Sequence, residues 1–308
     1  MNDPRMEQAW HDPKLANVMY HDWEASTYDD KWSISYDERC IDYARDRYVH
    51  VTGDSGWPCG RVLEVGAGTG FFVLNLMQAG LATTAVVTDI SPGMVEVAVR
   101  NGKELGLDVT GQVADAEALP FDDESFDVVI GHAVLHHIPD VELAFREFLR
   151  VLRPGGRFVF CGEPTQRGDV IARRLSRLTW WAASQATQWP GLRDRFGRPE
   201  EELTQSSEEA YLEAVVDLHT FAPDALVRMA LRAGAIDVKT VTEELTASWF
   251  GWPVRTLEAA VRPGSLGWGW ATFAYRTWQL LAALDERVLA RVVPDELFYN
   301  VSVTGVRP

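Results

Sequence analysis

Cysteine is scarce. Cys40, Cys59 and Cys161 are the only three in 308 residues, and they lie far apart. That spacing builds neither a disulfide framework nor a zinc site, and it suits a reducing cytoplasm. Long hydrophobic runs are missing too. No stretch of about 18 uncharged apolar residues occurs, so no transmembrane span is expected. The start, Met1-Asn2-Asp3-Pro4-Arg5, lacks the basic-then-apolar order of a secretory signal. Positive charge is short: 29 Lys and Arg face 45 Asp and Glu, a formal net charge of −16. Nucleic-acid binders show a basic patch. Here Arg173-Arg174 with Arg177, and Arg193 with Arg195, are short and interrupted. The same balance disfavours an anionic lipid surface. A small molecule is the expected partner, with no nucleic acid.

Repeats and low-complexity tracts are absent. Tryptophan is absent from residues 61–163, although the chain has twelve. Four precede that stretch (Trp10, Trp23, Trp32, Trp57) and eight follow it (Trp180, Trp181, Trp189, Trp249, Trp252, Trp268, Trp270, Trp278). What is present is apolar bulk, 46% of residues, enough to bury the core of one large domain or two small ones.

The middle alternates. Arg61–Val65 is a short apolar run ending at glycines, as a buried parallel strand does. Phe71–Ala79 reads as a helix closed by Gly80. Further strands are expected at Thr84–Thr88, Val109–Val113, Phe126–Ile130 and Arg157–Cys161, with helices at Gly93–Leu105 and Val141–Leu152. This rhythm predicts an α/β, Rossmann-like, doubly wound sheet. After residue 163 it breaks. Residues 164–220 read as helical. Pro223–Ala233 is a helix ended by Gly234, Ile236–Val241 a strand, 247–296 mostly helical, and Leu297–Val306 a final strand. The expected organisation is therefore an N-terminal helical cap (1–55) and a ligand-binding core (56–163) completed by 221–246 and 297–308. Helical insertions at 164–220 and 247–296 serve as a substrate lid or a dimer contact.

The central motif is Glu64-Val65-Gly66-Ala67-Gly68-Thr69-Gly70, at a strand end and opening a helix. Glycines there permit positive φ and close approach of a ligand to the backbone. The ligand edge of such a sheet is the carboxyl end of its strands. A dinucleotide site has G-x-G-x-x-G, but Phe71 stands at the third glycine's place. Glu64 would also oppose a pyrophosphate while suiting an amine-bearing ligand. Both features argue against a nicotinamide oxidoreductase. Asp89 closes the second strand, where an acid accepts ribose hydroxyls. The N-cap of the next helix is better filled by Ser91 before Pro92. Asp115, in Asp115-Ala116-Glu117-Ala118-Leu119-Pro120-Phe121, follows the third strand as either an adenine-amino acceptor or a solvated loop acid.

Together with Phe126-Asp127-Val128-Val129, Leu135-His136-His137-Ile138 and Leu152-Arg153-Pro154-Gly155-Gly156, these motifs resemble class I S-adenosylmethionine-dependent methyltransferases. The resemblance is to the ubiquinone/menaquinone-biosynthesis type and spans roughly residues 61–163. It implies a seven-stranded sheet with a reversed edge strand, S-adenosyl-L-methionine as cofactor and S-adenosyl-L-homocysteine as product. By resemblance Gly66, Ala67, Gly68, Thr69 and Gly70 form the turn under the methionine part, and Glu64 supports its amino group. Asp89 takes the ribose. Ile90 and Met94 pack on adenine, and Asp115, Ala116 and Glu117 line its amino edge. Tyr20 and Tyr28 resemble cap tyrosines of such enzymes.

The chemistry this implies is methyl transfer to a small, apolar or aromatic acceptor at oxygen, carbon or nitrogen. His132, just past the fourth strand, is either a base or substrate anchor, or a residue bonding backbone or cofactor. His136 and His137 either contact substrate or support their loop. No metal-ligand partner stands at suitable spacing to these histidines, so no metal is expected. Trp268, Trp270, Phe273, Tyr275, Trp278, Leu281 and Leu284 either pack one helical face into a core or wall a substrate pocket or homodimer contact. The alternative from another class is a cofactor-binding protein without catalysis, a regulator or partner subunit.

Overall fold

Residues 8–9, 11–29, 34–53, 59–198, 216 and 218–308 are described in the computed structural model. Parts of the expected cap, with Trp10 and Trp32, the start of the expected core, with Trp57, and residues 199–215 and 217 of the first insertion lie outside the described residues.

Seven strands form one sheet in the order β3-β2-β1-β4-β5-β7-β6. β1 (Arg61–Val65) lies near its middle, with Val62 and Leu63 wholly buried. Branched and apolar side chains on both faces mark a strand covered by helices on both sides. β1 pairs in parallel with β2 (Thr84–Asp89) and β4 (Phe126–His132). β2 pairs with β3 (Asp108–Val113), and β4 with β5 (Leu152–Pro164). Edge strand β6 (Ile236–Glu243) neighbours β7 (Asn300–Val306). Gly155 donates to the Arg307 carbonyl and Arg307 to that of Gly156, the reciprocal pattern of an antiparallel β5–β7 pair.

Helix boundaries follow local chemistry. In α1 (Pro13–Glu24) the Asp12 carboxylate accepts the Lys14 and Leu15 N–H groups. α2 (Glu38–Thr52) is capped by Asp37 and stops at left-handed Gly53. α3 (Phe71–Gln78) starts at Gly70 with no side-chain cap. α4 (Pro92–Glu104) has Ser91 as N-cap, accepting the Met94 N–H, and Pro92 at its first turn. α5 (Val141–Val151) buries Phe145 and Phe148, and Phe148 stacks on Phe160 of β5 at 4.7 Å. Each such ring contributes about 1.5–3 kcal/mol by burial. Near the C-terminus, α8 (Pro223–Ala233) ends at left-handed Gly234.

The chain divides into two compact units. One comprises Met1–Glu163, Leu212–Val241 and Ser302–Pro308, and carries most of the sheet. The other comprises Pro164–Tyr211 and Thr242–Val301 and is largely helical: α6 (Gln166–Ala186), α7 (Pro190–Phe196), α9 (Thr246–Ala260) and α10 (Gly267–Arg287). Within it α9 packs on α6 and on α10. Trp252 meets Tyr299 edge-on at 5.3 Å, and the Trp270 indole donates to Glu258 at 2.8 Å. The aromatic stripe of α10 does not form one buried face. Trp278 and Leu281 are half-buried, whereas Trp268, Phe273, Tyr275 and Leu284 are exposed. At about 100° per residue those positions circle the helix.

Candidate active site

The glycine turn leaves β1 at its carboxyl end. Gly66, Gly68 and Gly70 all have positive φ, 61°, 52° and 88°. A Cβ on Gly66 would overlap the Val134 side chain, so glycine there is a steric requirement as well as a conformational one. A Cβ on Gly68 would meet only the Tyr28 ring, at 3.8 Å. Above this turn the backbone is thus open to a ligand, with Tyr28 over it.

Two acids converge here. Asp89, ending β2, accepts the Gly68 N–H on Oδ2 and the Ser91 N–H on Oδ1, both at 2.9 Å. These bonds fix the carboxylate plane while each oxygen keeps a lone pair. Glu64 is buried, and its Oε2 accepts the Val73 N–H at 3.2 Å. Burial, and secondarily the Asp89 charge, push the Glu64 carboxyl well above the usual range, against the Val73 hydrogen bond. A buried carboxyl of this kind is suited to an ammonium group.

The turn is also clamped from behind. The Thr69 carbonyl accepts from the Tyr36 hydroxyl at 2.9 Å and from Asn101 Nδ2 at 3.0 Å. Burial raises the Tyr36 phenol, so it stays a donor. Thr69 Oγ1 is buried with no hydrogen-bond partner among the described residues. Ala67 donates to the Thr88 carbonyl at 2.9 Å.

Around Ile90, Met94 and Asp115–Glu117 the structure brings in α1 and the residues after it. Met94 is buried and clusters with Ala25, Val97 and Tyr28. Ile90 and Ala116 are half-buried. Asp22 of α1 accepts from Ser91 Oγ at 2.5 Å and from the Gly93 N–H at 2.9 Å. Lys14 Nζ bridges Asp115 Oδ2 at 2.6 Å and Glu117 Oε2 at 2.5 Å. Burial opposes its charge, but these two carboxylates hold the Lys14 pKa above its ordinary value. Asp115 is therefore tied to α1 and is not a simple solvated acid. Tyr20 sits apart, buried among Ala9, Ala16 and Val216.

His132 ends β4 beside the glycine turn. Its Nε2 lies 3.3 Å from the Tyr43 hydroxyl, and its ring meets Phe71 at 5.5 Å and Phe72 at 5.3 Å. The Arg47 guanidinium lies over the Tyr43 ring at 4.8 Å. His136 is placed differently. Its Nδ1 is 2.8 Å from Glu163 Oε2, and Glu163 is wholly buried. Glu163 also accepts the N–H groups of Val134 and Leu135 at 2.9 Å and of His136 at 3.1 Å. That carboxylate fixes the Val134–His136 turn, and Val134 in turn abuts Gly66. His137 donates Nδ1–H to the Val216 carbonyl at 3.0 Å. Burial first, then His136 and His21, hold its pKa well below the ordinary imidazole value. It is a neutral packing residue. No cluster of His, Cys, Asp and Glu fit to hold a metal occurs among the described residues.

Lys14, Asp22, Tyr36, Tyr43, Asn101 and Glu163 escaped the sequence reading. Only Glu163 carried a readable signal: an acid closing an apolar strand, Phe158-Val159-Phe160-Cys161-Gly162-Glu163, as Asp89 closes β2.

Residues 63–160 match the family model described as a methyltransferase domain. Over 119 residues, 38% of this chain, the sequence is 40% identical to an uncharacterized methyltransferase, YcgJ, of Bacillus subtilis, covering 46% of that protein. Over 115 residues, 37% of this chain, it is 41% identical to demethylmenaquinone methyltransferase of Roseiflexus castenholzii, covering 47% of it. The chain thus spans about half the length of the curated relatives it matches. The solved [4+2]-cyclase SpnF shares the fold with a TM-score of 0.54 at 19% identity, covering 96% of this chain and 97% of that one.

Proposed function

We propose that this chain, whose residues 63–160 match a methyltransferase-domain model, is a class I S-adenosylmethionine-dependent methyltransferase that acts on a small, apolar or aromatic acceptor. The observation that carries the reading is the paired acids at the glycine turn. Asp89 is pinned on the Gly68 N–H at 2.9 Å, and Glu64 is buried beside it with a raised pKa. One carboxylate suits vicinal ribose hydroxyls and the other an ammonium. Gly66, Ala67, Gly68, Thr69 and Gly70 give the backbone approach between them, and the orphaned Thr69 Oγ1 is a further polar contact. Met94 and Ile90 form the apolar side of the adenine position, with Asp115, Ala116 and Glu117 at its polar edge. Tyr28 closes over the turn, and Tyr20 supports the cap from its own core.

Bound S-adenosylmethionine supplies an activated sulfonium methyl. The chain's residues must then hold the acceptor in line, keep water out and, for an acidic acceptor, move a proton. Good orientation is worth about 7–11 kcal/mol, so positioning can dominate the rate. His132 is the residue best placed to meet the acceptor, with the Tyr43 hydroxyl at its Nε2 and Phe71 and Phe72 as walls. It takes the acceptor's proton or anchors its polar atom. His136, held at Nδ1 by Glu163, serves chiefly to hold its turn.

The test is turnover. Methyl transfer to a panel of phenols, quinols and amines is measured for the wild type and His132→Ala. The expected result is a fall in kcat of about 10²–10⁴-fold, with cofactor affinity kept. Equal losses of turnover and cofactor affinity would show that His132 holds the cofactor. Tight cofactor binding with no turnover on any acceptor would favour a non-catalytic binding protein.

A further inference from the structure

Among the described residues, helix α6 has an outward face that its own packing does not use. Its buried side is Gly168, Ala172 and Ala183. On the opposite side, at i, i+4, i+7, i+8 and i+11, stand Val170, Arg174, Arg177, Leu178 and Trp181. All five are exposed, Leu178 by 61% and Trp181 by 62%. None is acidic. Just beyond, Trp189 is 70% exposed, followed by exposed Arg193 and Arg195 on α7. Helix α10 repeats the composition: Phe273, Arg276, Leu280, Leu284 and Arg287 are all exposed and lie at i, i+3, i+7, i+11 and i+14.

Charge is segregated accordingly. Residues 166–198 hold seven arginines against two aspartates, a local balance of +5 in a chain of −16. The net charge that disfavours an anionic surface for the whole chain therefore does not describe this segment.

We infer that the α6 face, with α7, docks on an anionic lipid surface. Exposed Trp and Leu seek the acyl boundary, while arginines extend their stems along it and keep their guanidinium groups at the phosphates. Tryptophan is favoured at that depth. A second copy is a poor occupant. A two-fold contact centred on this face would bring Arg174 and Arg177 of one copy close to Arg177 and Arg174 of the other, and like charges across an interface are costly. An anionic bilayer supplies both the apolar layer and the opposite charge.

The experiment is flotation of the full-length protein with phosphatidylcholine vesicles, with and without phosphatidylglycerol, at low and high salt. Binding should require phosphatidylglycerol, weaken with salt and shift tryptophan emission to the blue. Each arginine near an anionic surface is worth about fivefold in partitioning, so Arg174→Gln with Arg177→Gln should lower it about 25-fold. Leu178→Ser with Trp181→Ser should weaken binding and reduce the emission shift, the exposed Trp189 keeping the remainder. Both variants change exposed positions, and unchanged melting curves confirm that they fold. The salt dependence of the wild type tests the inference without any variant. Absence of binding, equal binding to both vesicle types, or a dimer dissociated by Leu178→Ser with Trp181→Ser would each overturn it. The last outcome would assign the face to a second copy.

Discussion

Consider Glu64→Gln. Glu64 is buried, and burial pushes its carboxyl well above the usual range. An ammonium group placed beside it would favour the ionised form and lower that pKa. Binding must then expel a proton wherever the pH lies between the bound and free values. In that window affinity rises with pH, by up to about tenfold per unit, and levels off above the free value. Gln keeps the shape and an acceptor for the Val73 N–H but cannot ionise. It loses a charge-assisted hydrogen bond worth about 1.5–3 kcal/mol. At 1.36 kcal/mol per decade that is about a 10- to 150-fold loss above the window, and little below it. Calorimetry in two buffers of different ionisation enthalpy measures both affinity and protons released. The wild type should release close to one proton at mid-window, and the variant none. A wild type that binds S-adenosylmethionine with no proton release and no pH dependence would refute the reasoning. Glu64 would then be a structural acid.

Asp89→Ala removes a carboxylate held by Gly68 and Ser91. Cofactor affinity should drop more than roughly tenfold by calorimetry, with the fold intact by circular dichroism; an unchanged affinity would remove Asp89 from the site. Gly66→Ala puts a Cβ into Val134 at a φ of 61°. The left-handed backbone alone costs about 1–2 kcal/mol, so the melting temperature should fall and binding should be lost. A neutral outcome would mean that the Val134 turn gives way freely. His137 stays neutral in the fold because burial, His136 and His21 depress its pKa. Below about pH 6.5 the unfolded chain takes up a proton that the fold refuses, so stability falls as pH falls, by at most about 1.4 kcal/mol per unit. His137→Gln should flatten that part of the stability–pH curve in denaturant titrations; an unchanged slope would show that other groups set it.

The alternation of strands and helices was readable because each buried strand is a short apolar run closed by a turn residue. Ends were less so. β4 continues through His132 and β5 runs from Leu152 to Pro164, because partner strands extend pairing over polar residues that periodicity alone would leave in loops. Leu297 falls in a 3-10 turn before β7, not in the strand. Gly66, Glu64 and Asp89 were legible because the chemistry is local: a turn needing positive φ and acids at strand ends. Lys14 reaches Asp115 across 101 positions, and Tyr43 reaches His132 across 89. No local pattern encodes such pairs, and only the packing of α1 and α2 creates them. Of the two readings of the α10 stripe, the single core face falls, because its spacing winds around the helix and leaves Trp268, Phe273, Tyr275 and Leu284 exposed.

The most direct test of the central claim is a parallel calorimetric titration with S-adenosylmethionine, S-adenosylhomocysteine and NAD. Binding of the two sulfur compounds, and none of NAD, is the predicted result. Binding of NAD, or of neither sulfur compound, would contradict the account.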